Sequence, residues 1–86
     1  MHACGHDGHA AGLLGAAMIL NELKDEIAGN IKLVFQPAEE GPGGADPMIK
    51  AGILENPKVD AAFGCHIWPA YKAGQILVKD GDMMSH

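Results

Sequence analysis

The chain has 86 residues, a formal net charge of −5 and only six Lys and Arg residues, so it is one domain at most and offers no basic surface for nucleic acid or anionic lipid. A domain of this size buries about 60 to 65% of the surface that its unfolded chain exposes. No apolar run approaches the ~20 residues that cross a bilayer, and the first residues lack the order of a signal peptide, so we expect a cytoplasmic protein without membrane or nucleic-acid partners.

The first predicted element is a helix over residues 9–23. Its apolar side chains cover nearly the whole circumference, and a helix of that kind belongs inside a larger structure. These side chains are Ala10, Ala11, Leu13, Leu14, Ala16, Ala17, Met18, Ile19 and Leu20. The chain then turns polar, and Gly29 with Asn30 is expected to close the helix as a glycine C-cap and turn.

Strands and a second helix are predicted in alternation after this turn. Residues 31–36 are β-branched and aromatic and end at Pro37, which cannot donate a ladder hydrogen bond. A loop leads to a short helix over 44–51, followed by strands over 59–64 and 74–79. This order indicates an α/β fold with a mainly parallel sheet, in which sites gather at the carboxyl ends of strands.

Cys4 and His6 are the first candidate metal ligands. Residues two apart point the same way from an extended segment but not from a helix, and Gly5 between them permits a turn. A thiolate and an imidazole suit zinc or another late transition metal. The alternative is a small buried cysteine, with Asp7 as a helix cap and the histidines in solvent.

The neighbouring polar residues are expected to play lesser parts. Asp7 is predicted as an N-cap or as a partner that orients a ligand, and His2 and His9 as residues around the site or on the surface. Cys4 and Cys65 each stand beside or near a histidine in a Cys-poor chain, which suits a ligand better than a disulfide.

Glu39 and Glu40 are candidates for two different roles. Adjacent glutamates on a surface are usually no more than solvated charges. This pair follows a predicted buried strand and a proline, where burying charges costs free energy unless a positive group compensates them. Neighbours on an extended backbone diverge, so Glu40 is predicted to bind metal while Glu39 deprotonates a metal-activated water.

His66 follows the strand predicted over 59–64 and supplies a further nitrogen ligand. A single histidine in this position is also typical of a satisfied core residue, but here it completes a set of ligand types from three loops at one sheet edge. Cys65 is expected to point the opposite way, into the core. Trp68 and Tyr71 either wall a substrate pocket or pack as ordinary loop residues.

Three blocks of this sequence also resemble the signatures of a known family. The blocks MHACGHDGH (residues 1–9), VFQPAEEG (34–41) and GCHIWP (64–69) are similar, in order and spacing, to those of the N-acyl-amino-acid amidohydrolases. That family includes hippurate hydrolases, aminoacylase-like carboxypeptidases and plant auxin-conjugate hydrolases, within the co-catalytic metallopeptidase clan. The resemblance covers essentially the whole chain.

The resemblance implies a fold, a metal site and a reaction. The fold would be a partial three-layer α/β/α sandwich with a mainly parallel sheet. The site would hold two divalent metals (Zn, Mn, Co or Ni) on Cys4, His6, Glu40 and His66, with Cys4 bridging them and Glu39 as general base. The reaction would be hydrolysis of the amide bond of an N-acyl amino acid or short peptide, in a homo-oligomer.

The resemblance also implies that parts of the family pattern are missing. Family members are several times longer, so residues 1–86 are expected to form a single partial catalytic domain without the inserted lid and dimerisation domain or the C-terminal part. His86 is not expected to replace the distant histidine ligand of the family. The chain alone is therefore expected to be inactive, and the alternative hypothesis is a non-catalytic fragment or metal-binding oligomeric remnant.

Overall fold

A computed structural model describes residues 1–81 of the chain. It contains helix α1 over His6–Glu22, a short 3-10 turn over Lys24–Glu26 and helix α2 over Ala45–Lys50. The expectation for His86 lies outside the described residues. No helix in the described part is long and apolar enough to span a bilayer.

Helix α1 confirms the first predicted helix but begins three residues earlier than expected. Gly5 precedes it with φ +82°, a left-handed conformation that glycine adopts without steric cost, and the carbonyl of Gly5 accepts the His9 N–H at 2.9 Å. The turn at Gly5 therefore starts the helix at His6. As a consequence Asp7 lies within the first turn, where a carboxylate is favourable, and the prediction of Asp7 as the N-cap is wrong.

The end of α1 differs from the predicted glycine cap. Leu23 is the C-cap, and its N–H donates to the Ile19 carbonyl at 3.1 Å. The backbone then tightens into the 3-10 turn over Lys24–Glu26, so Gly29 is too far along the chain to cap the helix. Gly29 instead sits in the connection with φ +140°, another region that favours glycine.

The apolar circumference of α1 remains largely uncovered. Leu14, Met18 and Ile19 are 59%, 67% and 60% exposed, and the helix contains no buried residue. A groove of about 210 Å³ lies between the second half of α1 and residues 27–33, and its lining includes Ala17, Leu20 and Leu33 together with the polar Asn21 and Lys24.

The three segments predicted as strands have no assigned partners. Residues 31–36, 59–64 and 74–79 carry no strand assignment, and nowhere in residues 1–81 is a strand assigned. Phe63 is fully exposed, and no hydrophobic side chain within the described residues is buried. A strand needs a neighbouring strand to form its ladder. The α/β sandwich with a mainly parallel sheet therefore stays a prediction.

Helix α2 lies within the predicted helical range 44–51. Its end is closed by Gly52, which has φ +87° and donates its N–H to Ile49, while Ile53 donates to the Met48 carbonyl at 3.0 Å. These bonds satisfy carbonyl groups that the helix leaves without partners. The chain continues through a series of turns to residue 58.

Lys32 ties the segment over 31–36 to these turns. Its ammonium group donates to the backbone carbonyls of Ile53 and Glu55 at 2.7 Å each and of Pro57 at 3.2 Å. A lysine ammonium has three protons, so all of its donors find an acceptor here. The contact fixes two segments that are more than 20 residues apart in the sequence.

We predict that Lys32→Met loosens the turns after α2, because the three carbonyl groups lose a charged donor. Hydrogen bonds to charged groups contribute about 1.5–3 kcal/mol, so amide exchange at Glu55 and Val59 should accelerate roughly tenfold or more. Both amides donate within the same turns. Hydrogen exchange followed by NMR measures the effect, with Lys58→Met as the control; equal exchange in the two variants would contradict the assignment.

Candidate metal centre

Three potential ligand side chains converge at the N-terminal end of α1. One ligand atom each from Cys4, His6 and Glu40 lie within 4.8 Å of one another. Within the group, His6 Nε2 lies 3.1 Å from Glu40 Oε1. A sulfur, a nitrogen and an oxygen at these separations match the donor set that zinc and similar divalent metals accept.

The turn at Gly5 explains why Cys4 and His6 share this site. Cys4 lies before the turn, and His6 is the first residue of α1. The two therefore belong to different backbone conformations, and the left-handed Gly5 joins them. The sequence prediction of a turn at Gly5 is confirmed.

A tight loop places the two glutamates beside His6. The loop closes where Gly44 packs against Pro37: a Cβ on Gly44 would lie 1.8 Å from the Pro37 carbonyl oxygen, so no side chain fits there. Within the loop, Glu39 Oε2 lies 3.6 Å and Glu40 Oε1 3.1 Å from His6 Nε2. Both carboxylates therefore face the same imidazole.

His66 approaches the group from the far end of the chain. Its Nε2 lies 3.5 Å from Cys4 Sγ, across 62 residues of sequence. Its Nδ1 lies 2.6 Å from the Ile67 carbonyl oxygen, which only accepts, so Nδ1 carries the proton. Nε2 is therefore unprotonated, and its lone pair faces the Cys4 sulfur, the protonation state that a metal ligand requires.

Three of the five side chains predicted for the site, Cys4, His6 and Glu40, form the converging group, and the other two lie next to it. Glu39 contacts the group through His6, and His66 contacts it through Cys4. Both cysteines are free, which confirms that they form no disulfide. Cys65 is exposed rather than turned into a core, because the described residues bury no apolar side chains behind it.

The acidic side chains raise the pKa of the Cys4 thiol. The main cause is the side-chain hydrogen bond with Glu40, followed by desolvation and by the negative charges of Glu40 and Glu39. A thiolate here would be a third negative charge beside two carboxylates. The donor set therefore fits a divalent cation, which would reverse this effect on the thiol.

His9, expected around the site or on the surface, lies beside the candidate centre and contacts the segment that carries His66. Its Nε2 accepts the backbone N–H of Ile67 at 3.0 Å, and its ring packs edge-on against His66 with centroids 4.4 Å apart. A helical spacing of three residues places His9 near His6, and this was the available signal. His2, by contrast, is a surface residue as expected, 3.9 Å from Asp7.

The aromatic residues of the following loop are exposed. Trp68 and Tyr71 are both 53% exposed, and the Trp68 ring packs edge-on against His66 at 5.8 Å between centroids. Trp68 therefore borders the candidate centre. The role of a pocket wall, expected as one of two alternatives, stays a prediction.

Comparisons with known proteins agree with the resemblance of the three sequence blocks. The family model described as peptidase family M20/M25/M40 matches residues 1–81. The chain is 51% identical to the IAA-amino acid hydrolase ILR1-like 4 of Arabidopsis thaliana, covering 99% of the chain and 19% of that protein. It is 49% identical to the N-acyl-L-amino acid amidohydrolase of Geobacillus stearothermophilus, covering 99% of the chain and 23% of that protein.

A third relative belongs to an archaeon. The chain is 52% identical to thermostable carboxypeptidase 2 of Saccharolobus solfataricus, over 99% of the chain and 22% of that protein. The chain thus spans about a fifth of the length of these curated relatives. No solved structure matches it. With a family model that matches almost the whole sequence, the chain belongs to peptidase family M20/M25/M40.

Proposed function

We propose that the protein carrying this chain is a metal-dependent hydrolase that cleaves the amide bond of N-acyl amino acids. The observation that carries the proposal is the convergence of Cys4, His6 and Glu40, with a second carboxylate, Glu39, beside them. Relatives named as an N-acyl-L-amino acid amidohydrolase, an N-acetylcysteine deacetylase and carboxypeptidases support this substrate class. Short peptides are the related alternative substrate.

Cys4, His6, Glu40 and His66 are proposed to hold the metal. Cys4 would be the shared ligand, since its sulfur belongs to the group with His6 and Glu40 and also lies 3.5 Å from His66 Nε2. These four residues would hold two divalent metals drawn from Zn, Mn, Co and Ni. When bound, a divalent metal of this kind lowers the pKa of coordinated water towards ~7 and polarises a carbonyl.

Glu39 is proposed as the general base. Its side chain is 56% exposed and reaches the edge of the group, 3.6 Å from His6, so it remains open to solvent and substrate. There it takes a proton from the attacking water and returns it to the amine that leaves as the amide bond breaks. Glu40 lies closer to His6 and is the better placed of the two for ligation.

A non-catalytic, metal-binding remnant is the second candidate function. The observation in its favour is the exposed apolar surface of α1 and of the segments over 31–36 and 59–64. Pairing of such surfaces between copies would give the homo-oligomer expected from the sequence. This candidate predicts bound metal without turnover. The cytoplasmic location expected from the sequence also stays a proposal.

We predict that Glu39→Gln, made in the full-length protein, reduces turnover by about 10²–10⁴-fold because the amide side chain cannot take a proton. Metal content should stay unchanged, since Glu39 is not a proposed ligand. Hydrolysis of N-acetyl and N-benzoyl amino acids, measured with elemental analysis of the same samples, tests both statements. Glu55→Gln is the matched control. Unaltered turnover in Glu39→Gln would exclude Glu39 as the base, and wild-type protein with metal but no turnover would favour the remnant.

We predict that Cys4→Ser weakens metal binding and removes the sulfur-to-metal charge-transfer absorption of the Co²⁺ form. The thiolate is the softest donor of the set, and serine does not replace it. Titration with Co²⁺ under anaerobic conditions, monitored by absorption, gives both readouts. Cys65→Ser should retain the wild-type spectrum, because Cys65 is not among the converging ligands. A spectrum that follows Cys65 instead would overturn the ligand assignment.

We predict that the metal-free Cys4 thiol reacts with iodoacetamide only at raised pH. Glu40 and Glu39 raise its pKa, so the neutral, unreactive thiol persists to higher pH than in an ordinary cysteine. Glu40→Gln removes the main cause of the raised Cys4 pKa. In a Cys65→Ser background, this substitution should therefore shift the pH profile of alkylation to lower pH. Mass spectrometry measures the modified fraction; a profile unmoved by Glu40→Gln but moved by Glu55→Gln would contradict the cause.

A further inference from the structure

Ile67 is held at three points beside the candidate centre. Its N–H donates to His9 Nε2 at 3.0 Å, and its carbonyl accepts from His66 Nδ1 at 2.6 Å. Its side chain packs over the first turn of α1, where a Cβ on Gly8 would lie 2.5 Å from Ile67 Cδ1. A Cβ on Gly5 would lie 3.6 Å from the same side chain.

These contacts connect two imidazoles through the backbone of one residue. The carbonyl of Ile67 keeps the proton of His66 on Nδ1, so that the lone pair of Nε2 faces Cys4. The carbonyl has a defined direction only while the backbone of Ile67 is held. His9 supplies that hold from α1, the element that also carries His6.

His9 itself is oriented by the same arrangement. Because its Nε2 accepts a hydrogen bond, the ring is neutral and its proton is on Nδ1. Its Nε2 is occupied by the Ile67 amide and is not available as a ligand. The edge-on packing against the His66 ring, with centroids 4.4 Å apart, adds a second contact between the two side chains.

We propose that His9 is a positioning residue of the centre: by accepting the Ile67 N–H, it holds the backbone whose carbonyl directs His66 Nε2 towards Cys4 and the metal. The inference rests on the proposed function, because it assigns His9 a part in the same metal site. In this proposal His9 is neither a metal ligand nor the general base. Through this hydrogen bond His9 joins α1, which begins the site, to the segment of Ile67 and His66 that completes it.

The substitutions His9→Leu and His9→Gln distinguish positioning from simple packing. Leucine fills space but accepts no hydrogen bond, whereas the glutamine side-chain oxygen is an acceptor. Loss of partners that orient a ligand typically costs about 10–100-fold in metal affinity. We therefore expect that range of loss in His9→Leu and recovery of most of the affinity in His9→Gln. His2→Leu is the matched control, since His2 is a surface histidine near the same helix.

The experiment uses the full-length protein and has two readouts that do not depend on activity. Titration with Co²⁺ measures metal affinity and the ligand field, and NMR hydrogen exchange in the metal-free protein measures protection of the Ile67 amide. The expected result is faster Ile67 exchange and weaker, spectrally altered Co²⁺ binding in His9→Leu, with both restored in His9→Gln. Far-UV circular dichroism of each variant reports the helix content.

Each other outcome has a defined meaning. Unchanged Ile67 exchange and Co²⁺ affinity in His9→Leu would overturn the positioning role while leaving the proposed function intact. Equal losses in the leucine and glutamine variants, or loss of helix content in both, would also overturn it, because the acceptor would then not matter. Wild-type protein that binds no Co²⁺ and hydrolyses no N-acyl amino acid would instead defeat the proposed function, whatever the exchange of Ile67.

Discussion

Negative charge concentrated at the first turn of α1 is the constraint on which the candidate site depends. Glu39, Glu40 and the thiol of Cys4 lie around one imidazole, His6. The pKa of the Cys4 thiol is raised, mainly by its side-chain hydrogen bond with Glu40, then by desolvation and by the charges of Glu40 and Glu39. The positive end of the helix dipole offsets part of this charge. A divalent cation would offset more of this negative charge, because the carboxylates and the thiolate that repel one another would then bind the same ion.

Short, local devices position the groups that meet there. The left-handed Gly5 places Cys4 beside the helix that His6 begins, and the close approach of Gly44 to Pro37 closes the loop of the glutamates. Ile67, packed on the glycines of the first helical turn, brings His66 to Cys4. Glycine recurs in these contacts because each requires a left-handed backbone or leaves no room for a Cβ.

Around the site, the apolar side chains are exposed rather than packed into a core. The described residues bury no hydrophobic side chain, and the apolar residues of α1 and of the predicted strands face outward. Relatives extend over about four to five times the length matched here, and an all-round apolar helix is stable only when other elements cover it. The site is thus organised by hydrogen bonds and close contacts near the helix start. Covering of the apolar surfaces, and with it the proposed sheet, depends on further chain or a second copy.

The sequence by itself determined the two helices and the residue types of a candidate metal centre, of which the structure brings Cys4, His6 and Glu40 together. Helix propensity is local, and thiol, imidazole and carboxylate chemistry can be recognised from residue type and spacing. Only the tertiary structure decided the acceptor role of His9, the carbonyl contacts of Lys32 and the outward position of Cys65. The His9 bond joins residues 58 positions apart, and no local pattern specifies which backbone group will arrive opposite a side chain. The strands could be predicted from the sequence only in part. Their composition is a local property, but their pairing requires neighbouring strands.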